Sequence, residues 1–402
     1  MTESSTLAAR TWSPWRAVVG FGVISLAADM VYEGARSVYG PLLASLGASA
    51  LVVGAVTGAG EAAALVFRIV SGPLADRTHR YWALTIAGYA LTAVCVPLLA
   101  VTPWLGSAGL TVAAMLILAE RIGKAVRSPA KSALLADAAA HVGMGRGLGV
   151  HKALDQIGAF AGPLLVAGLI ALSGAIWPGL LALAVPGVVA MVLLAVTRRR
   201  LPEPDAIPAP AAVPSPGRQP LPPSFLRFAV GTTLCTAGLV TFGLISFHLV
   251  DRHLVPTAGA PLLYAAAMAA GALAALATGE VYDRLGPRVL LGLPVLVAGV
   301  PALAFGSSLT AAVLGVLLWG VAVGVQDSTV KALVADLVPR ERRATAYGVF
   351  AALQGGGALL GGVAAGAIYQ HSVPALVAAI GAVQVVALVV LLPVVGRRTA
   401  AA

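Results

Sequence analysis

Charge is scarce in this 402-residue chain. Only 10% of its residues are Asp, Glu, Lys or Arg, against 59% that are hydrophobic, where a soluble domain carries about 25% charged residues. A water-soluble fold has no interior large enough for that much apolar surface, so the surplus must face lipid. Cysteine is nearly absent as well. Cys95 and Cys235 each sit inside an apolar run, which excludes a disulfide framework and leaves them as small core residues. The six histidines stand singly at 79, 141, 151, 248, 253 and 371, without the spacing of a zinc or haem site. The first fifteen residues also lack a short apolar stretch ending in a small-residue cleavage site, so the first apolar run is expected to be a true span and not a removed leader.

What is present is a series of long apolar runs. In a bilayer only helices and closed barrels satisfy their backbone groups, and barrel strands alternate over about 10 residues, which these continuous runs do not. Taking about 20 residues as enough to cross the hydrocarbon, the runs predict helices at 16–45, 51–72, 82–101, 109–136, 144–171 and 177–197, then at 225–250, 260–279, 288–306, 309–337, 343–369 and 374–395. Between the sets lies RRRLPEPDAIPAPAAVPSPGRQPLPPS, whose prolines predict an extended linker. The expected domains are therefore a six-helix bundle over 1–197, a linker over 198–224 and a second six-helix bundle over 225–402.

Arg77, Arg80, Arg146, Arg198 to Arg200, Arg218, Arg284, Arg288, Arg340, Arg342, Arg343, Arg397 and Arg398 all fall on one side of the predicted helices, and of the opposite loops only the one after helix 7 carries a basic residue, Arg252. Loops rich in Lys and Arg stay cytoplasmic, so both termini and the linker are expected in the cytoplasm. The same bias accounts for the net charge of +10, through topology and attraction to anionic headgroups and not through nucleic acid.

The chain repeats itself. GVHKALDQIGAFAGPLLVAG from Gly149 answers GVFAALQGGGALLGGVAAG from Gly348, and ALLAD at 133–137 answers ALVAD at 332–336, both at an offset of 199. GPLADRTHR from Gly72 answers GEVYDRLGPR from Gly279 at an offset of 207. The pairs occur in the same order in each half, as in transporters built from repeats related by an axis along the membrane normal.

The Gly-x-x-x-Asp-Arg loop between helices 2 and 3, echoed between helices 8 and 9, resembles the signature loop of the major facilitator superfamily. The first copy departs from the pattern, with His79 for the second glycine and Tyr81 where a basic residue is common, while the second keeps Gly286 and Arg288. The resemblance implies an all-α integral membrane protein of twelve transmembrane helices, two six-helix bundles related by pseudo-two-fold symmetry. It also implies a conformational gate formed by Gly72, Asp76, Arg77 and Arg80 with Gly279, Asp283, Arg284 and Arg288, in which Asp76 latches the start of helix 11 and Asp283 the start of helix 5. A helix N-terminus favours an anion by about 0.3 to 1 kcal/mol, and such latches form only with the cytoplasmic side closed. Gly158, Gly162 and Pro163 resemble the start of a motif of drug and proton antiporters, although Val166 and Ala167 replace its last glycines. The same small residues also serve close helix packing.

Ionisable residues at membrane depth cost at least about 2.5 to 3.5 kcal/mol each, and so they line cavities and pair with one another. Asp29, Glu33 and Arg36 in helix 1 are spaced to share one helical face, as are Glu120, Lys124, Arg127 and Lys131 in helix 4, with Arg121 off that stripe. Glu61 and Arg68 lie in helix 2, Asp155 and Lys152 in helix 5, and Asp327 and Lys331 one turn apart in helix 10. Gln326 and Gln354 are neutral polar groups, and helix 7 offers Thr232, Thr233, Thr236 and Thr241. We expect Asp29 and Glu33 to pair with Lys124 and Arg127, either as a proton-coupling site or as a static brace between helices. Lys131 and Arg68 read as snorkelling or gate residues.

An enzyme is disfavoured: no Gly-x-Ser-x-Gly elbow is present, and His151 with Asp155 is a plain i, i+4 pair. No ring of identical groups suggests a channel. The expected activity is proton-coupled export of a small organic solute or drug by alternating access. Uptake of an anionic or zwitterionic solute and movement of a metal or metal chelate stand as alternatives, and a polytopic membrane enzyme is the alternative outside transport. The expected partners are a small-molecule substrate, protons and the lipid bilayer, without cofactor, bound metal or nucleic acid, for a monomer in a bacterial cytoplasmic membrane.

Overall fold

The computed structural model describes residues 12–201, 221–339 and 342–396. Most of the predicted linker and both chain ends lie outside the described residues. Among those described, the chain forms α-helices and short 3-10 turns with no strand. They are α1 (Pro14–Arg36), α2 (Tyr39–Ser45), α3 (Ala50–Thr78), α4 (Tyr81–Leu98), α5 (Gly109–Ala140), α6 (Met144–Ser173), α7 (Ile176–Ala182) and α8 (Ala184–Arg200). There follow α9 (Pro223–Gly238), α10 (Phe242–Asp251), α11 (Gly259–Leu285), α12 (Gly292–Ala304), α13 (Leu309–Leu337), α14 (Arg343–His371) and α15 (Val373–Gly396).

Eleven helical stretches among the described residues are long and apolar enough to cross a membrane. The remaining long helix, α5, has the length, at 32 residues, but carries Glu120, Arg121, Lys124, Arg127 and Lys131. α3, α4 and α6 pack against it, and its Glu120, Arg121 and Arg127 are buried. Predicted helix 10, at 309–337, coincides with α13, Leu309–Leu337.

Three predicted helices are each two. The first, expected unbroken over 16–45, stops at Arg36, where the Ser37 hydroxyl donates to the Gly34 carbonyl at 2.6 Å and takes up a group left free at the helix end. The sixth bends at Leu183. The seventh, expected unbroken over 225–250, parts between α9 and α10. Leu239 leaves helical backbone (φ −78°, ψ 89°), and Thr241 caps α10 by accepting from the Leu244 N–H at 3.4 Å. The Val240 carbonyl freed by the break accepts the Trp319 indole N–H at 2.8 Å.

Glycine sets how closely the helices approach. Gly158 and Gly162 of α6 lie against the backbone of Leu26 and Met30 in α1, and a Cβ at Gly158 would come within 2.9 Å of the Leu26 Cα. In the second half, Gly357 and Gly361 of α14 lie on Thr233 and Ala237 of α9 in the same way. These are repeat-related positions: α14 follows α6 at the offset of 199, and α9 follows α1 at the offset of 207. A further seam joins the halves, with Gly54 and Gly58 of α3 against Gly362 and Ala358 of α14.

The buried apolar residues form two clusters. One runs through the second half and takes in the first-half residues farthest from the basic loops, among them Tyr39, Leu42 and Val53 beside Phe242, Leu244 and Tyr264. The other, around Phe21, Ile24, Trp82, Leu134 and Leu194, belongs to the first half alone and sits toward the basic loops. The two halves thus share a core at one end and keep separate cores at the other.

Candidate functional site

The break after Arg36 leaves α1 to present Asp29, Tyr32, Glu33 and Arg36 within two turns. Tyr32 is fully buried and collects three cations. Lys124 Nζ lies 3.5 Å from its ring centroid, with the Arg121 and Arg36 guanidinium carbons at 4.6 Å and 6.0 Å. Its hydroxyl accepts from Arg121 and, at 3.4 Å, from Arg36. Glu61 reaches in from α3 and pairs with Arg36 at 2.5 Å and Arg121 at 3.5 Å. Glu33 lies 3.8 Å from Arg36 and accepts a hydrogen bond from the Tyr264 hydroxyl of α11, a link between the two halves. Tyr264 is itself wedged against Phe242, with ring centroids 4.6 Å apart. Glu120 is fully buried, makes no hydrogen bond, and has Arg121 Nε 3.6 Å away as its cation.

A second constellation lies about one turn closer to the basic loops. Gly158 and Gly162 bring α6 onto α1, and this sets the carboxyls of Asp29 and Asp155 against one another. Two carboxyls set against each other cannot both carry charge cheaply, which distinguishes this pair from the ion pairs around Tyr32. Lys152 Nζ sits 2.7 Å from Asp155 Oδ2. One turn further, Ser25 Oγ receives the Lys131 ammonium at 3.0 Å and lies 3.0 Å from His151 Nε2.

The repeat makes this pair informative. At offsets of 207 and 199, Asp29 and Asp155 correspond to Thr236 and Gln354, and these also touch, with the Thr236 hydroxyl donating to the Gln354 side-chain oxygen. The Gln354 amide donates on to Thr232 at 3.0 Å, and Gln326 donates to Thr236 at 2.7 Å. The same place in the two halves therefore holds a polar pair, ionisable in the first and neutral in the second.

Several expectations need correction. Asp29 and Glu33 do not pair with Lys124 and Arg127: Asp29 meets Asp155, Glu33 meets Arg36 and Tyr264, and Lys124 covers Tyr32. Arg127 turns toward α4, donating to Thr92 at 2.5 Å and stacking 4.6 Å over Tyr89, so it fastens two neighbouring helices. Lys131 is bound inside the bundle at Ser25. Arg68 keeps a buried Nε with no hydrogen-bond partner. Asp327 is exposed, and its charge acts on Arg68 and Lys152. The side chains of Lys331 and Asp283 lie outside the described residues.

At the expected gate, Asp76 lies against Tyr81 within its own half, and the side chains of Arg343 and Ala344 at the start of α14 lie outside the described residues. Arg77, Arg80 and Arg288 are exposed, and Arg284 pairs with Glu280 one turn away. Gly279 faces open space, and Gly72 has only Pro129 near it, at 4.0 Å. Pro163 is buried at the α1–α6 contact.

Spacing alone missed Arg121, Tyr32, Tyr264, Ser25 and His151. Tyr32 lies four residues before Arg36, so a signal was present for it. We expect Arg121→Met to strand Glu120 and destabilise the protein by about 3 to 5 kcal/mol, the usual cost of breaking a buried ion pair. A fall in thermal midpoint checks this, and adding Glu120→Gln to the same chain should recover most of it.

The sequence matches the profile of the Major Facilitator Superfamily over residues 21–250 and 253–401. An uncharacterized protein of Mycobacterium tuberculosis is 51% identical over 384 residues, covering 94% of this chain and 93% of that one. An uncharacterized MFS-type transporter of Methanocaldococcus jannaschii is 25% identical over 360 residues, covering 87% and 88%. Among solved structures, a POT family transporter in complex with 5-aminolevulinic acid superposes with a TM-score of 0.75 at 12% identity, covering 94% of this chain and 95% of that one. A bacterial homologue of the iron transporter ferroportin in the inward-facing state gives 0.71 at 16% identity, covering 96% and 100%. These structural likenesses bear on the fold.

Proposed function

The chain belongs to the Major Facilitator Superfamily, and from that premise we propose that it is a proton-coupled exporter of a small organic solute, with the proton carried by the Asp29–Asp155 pair. That it is a multi-pass membrane transporter and not an enzyme follows from the family. The coupling rests on one observation: Asp29 of α1 and Asp155 of α6 set their carboxyls against one another. Gain or loss of the shared proton changes the charge felt by Lys152 and Lys131, and a local charge change becomes a bias between two global states when the states solvate the pair differently.

In this reading residues 1–197 and 225–402 are the two moving bodies, the basic loops and both termini face the cytoplasm of a bacterium, and the shared core marks the closed external side. Asp76 and its counterpart Asp283 latch onto the opposite half when the cytoplasmic side closes. The protein works as a monomer. The antiporter-like Gly158, Gly162 and Pro163 support export.

A second reading, proton-coupled uptake of an anionic or zwitterionic solute, draws on the convergence of Arg36, Arg121 and Lys124 on Tyr32 and on the unpartnered Nε of Arg68. Proteoliposomes with an imposed pH gradient decide between them. Export predicts solute moving against the proton gradient, uptake predicts solute moving with it, and flux indifferent to the gradient would sink both.

A further inference from the structure

Away from the polar bundle interior, at the end bearing the basic loops, α1 and α8 diverge around a groove of about 540 Å³ lined by Trp12, Trp15, Val19, Val23 and Leu193, with Arg16 at its edge. That volume falls within the roughly 300 to 1,000 Å³ of small-molecule sites. The groove is built. Trp12 folds back onto Gly20, where a Cβ would lie 2.5 Å from its ring, and the Trp12 backbone N–H donates to the Arg200 carbonyl at 3.4 Å. The Arg146 guanidinium stacks over Trp15 at 5.8 Å, inside the range of a cation–π contact. Arg198, Arg199 and Arg200 are exposed on the last turn of α8.

We propose that this groove holds one anionic phospholipid, an acyl chain lying between α1 and α8 and the phosphate held by Arg16 and Arg146. The apolar lining excludes a free anion as the occupant, and the surrounding arginines favour an anionic over a zwitterionic headgroup. Tryptophans at such a level occupy the membrane–water interface, where headgroup and chain meet. The lipid fastens the start of α1, the helix that carries Asp29, Tyr32 and Glu33 further along.

Native mass spectrometry of the full chain, released from micelles with equal phosphatidylglycerol and phosphatidylcholine, tests the site. The wild type is expected to retain one phosphatidylglycerol in preference. Arg16→Gln with Arg146→Gln is expected to lower that preference about 25-fold, from about fivefold for each arginine near an anionic surface. Val23→Trp, which fills the groove, is expected to remove retention altogether, with Val19→Trp in its place if the first does not fold. Equal retention of the two lipids by wild type, an unchanged ratio in the double arginine variant, or full retention in the filled variants would overturn the proposal. So would lipid binding that appears only after residues 2–11 are deleted, which would make the chain's own first residues the occupant.

Discussion

Installing the neutral pair of the second half into the first, as Asp29→Thr with Asp155→Gln, is expected to reduce flux driven by a pH gradient to that of protein-free liposomes while leaving solute exchange at equal pH intact. Thr236 and Gln354 already form that pair on an equivalent backbone, with Gly357 and Gly361 packing α14 on α9 as Gly158 and Gly162 pack α6 on α1. The double variant thus supplies contacts this fold accommodates, and besides the titratable groups it removes only the ion pair of Asp155 with the exposed Lys152. Asp29→Asn and Asp155→Asn singly should behave alike, and combining them should add little, because a proton shared by two carboxyls belongs to the pair. Loss of exchange as well as coupling would make the pair a structural brace and end its coupling role.

The other large effect is conformational. Gly40 of α2 lies on α10 so closely that a Cβ would meet the Gly243 carbonyl and come within 2.6 Å of the Phe247 nitrogen. Nearby, Thr57 and Thr241 hydroxyls meet at 2.7 Å across the same joint. Gly40→Val should force this end apart. Overpacking costs about 1 to 3 kcal/mol, so the ratio of closed to open molecules should move by roughly 5- to 150-fold. Spin labels on cysteines placed at Ser49 and Thr257 would read the change as a second, longer distance, with thermal stability little altered. An unchanged distance distribution would show that this contact does not hold the joint.

Hydrophobic length alone located the spans, because crossing a bilayer demands it, and α13 fell where its apolar run begins and ends. The breaks in the first and seventh helices left no mark in hydropathy. Each depends on a distant or local hydrogen bond, such as the one from Trp319 to Val240, while the apolar run continues through it. At the site, helical spacing grouped Asp29, Glu33 and Arg36, of which Glu33 and Arg36 meet while Asp29 turns to Asp155, since partners come from other helices. Arg121 shows why: judged off the stripe of α5, it enters the interior anyway, because α3 and α1 flank that helix and supply Glu61 and Tyr32. The repeat offered more than it first yielded. Its offsets align Asp155 with Gln354, and only the contacts of each reveal that the aligned residues play matching parts.

The division of the apolar core gives the joined end a thermal signature. Opening the joined end exposes Tyr39, Leu42, Phe242 and their neighbours, whereas the cluster around Trp82 stays intact within its own half. Exposing apolar surface raises heat capacity, so the free energy holding that end shut is curved in temperature and weakens on cooling. A carrier latched by apolar contacts will spend more of its cycle open to the far side in the cold than one latched by ion pairs.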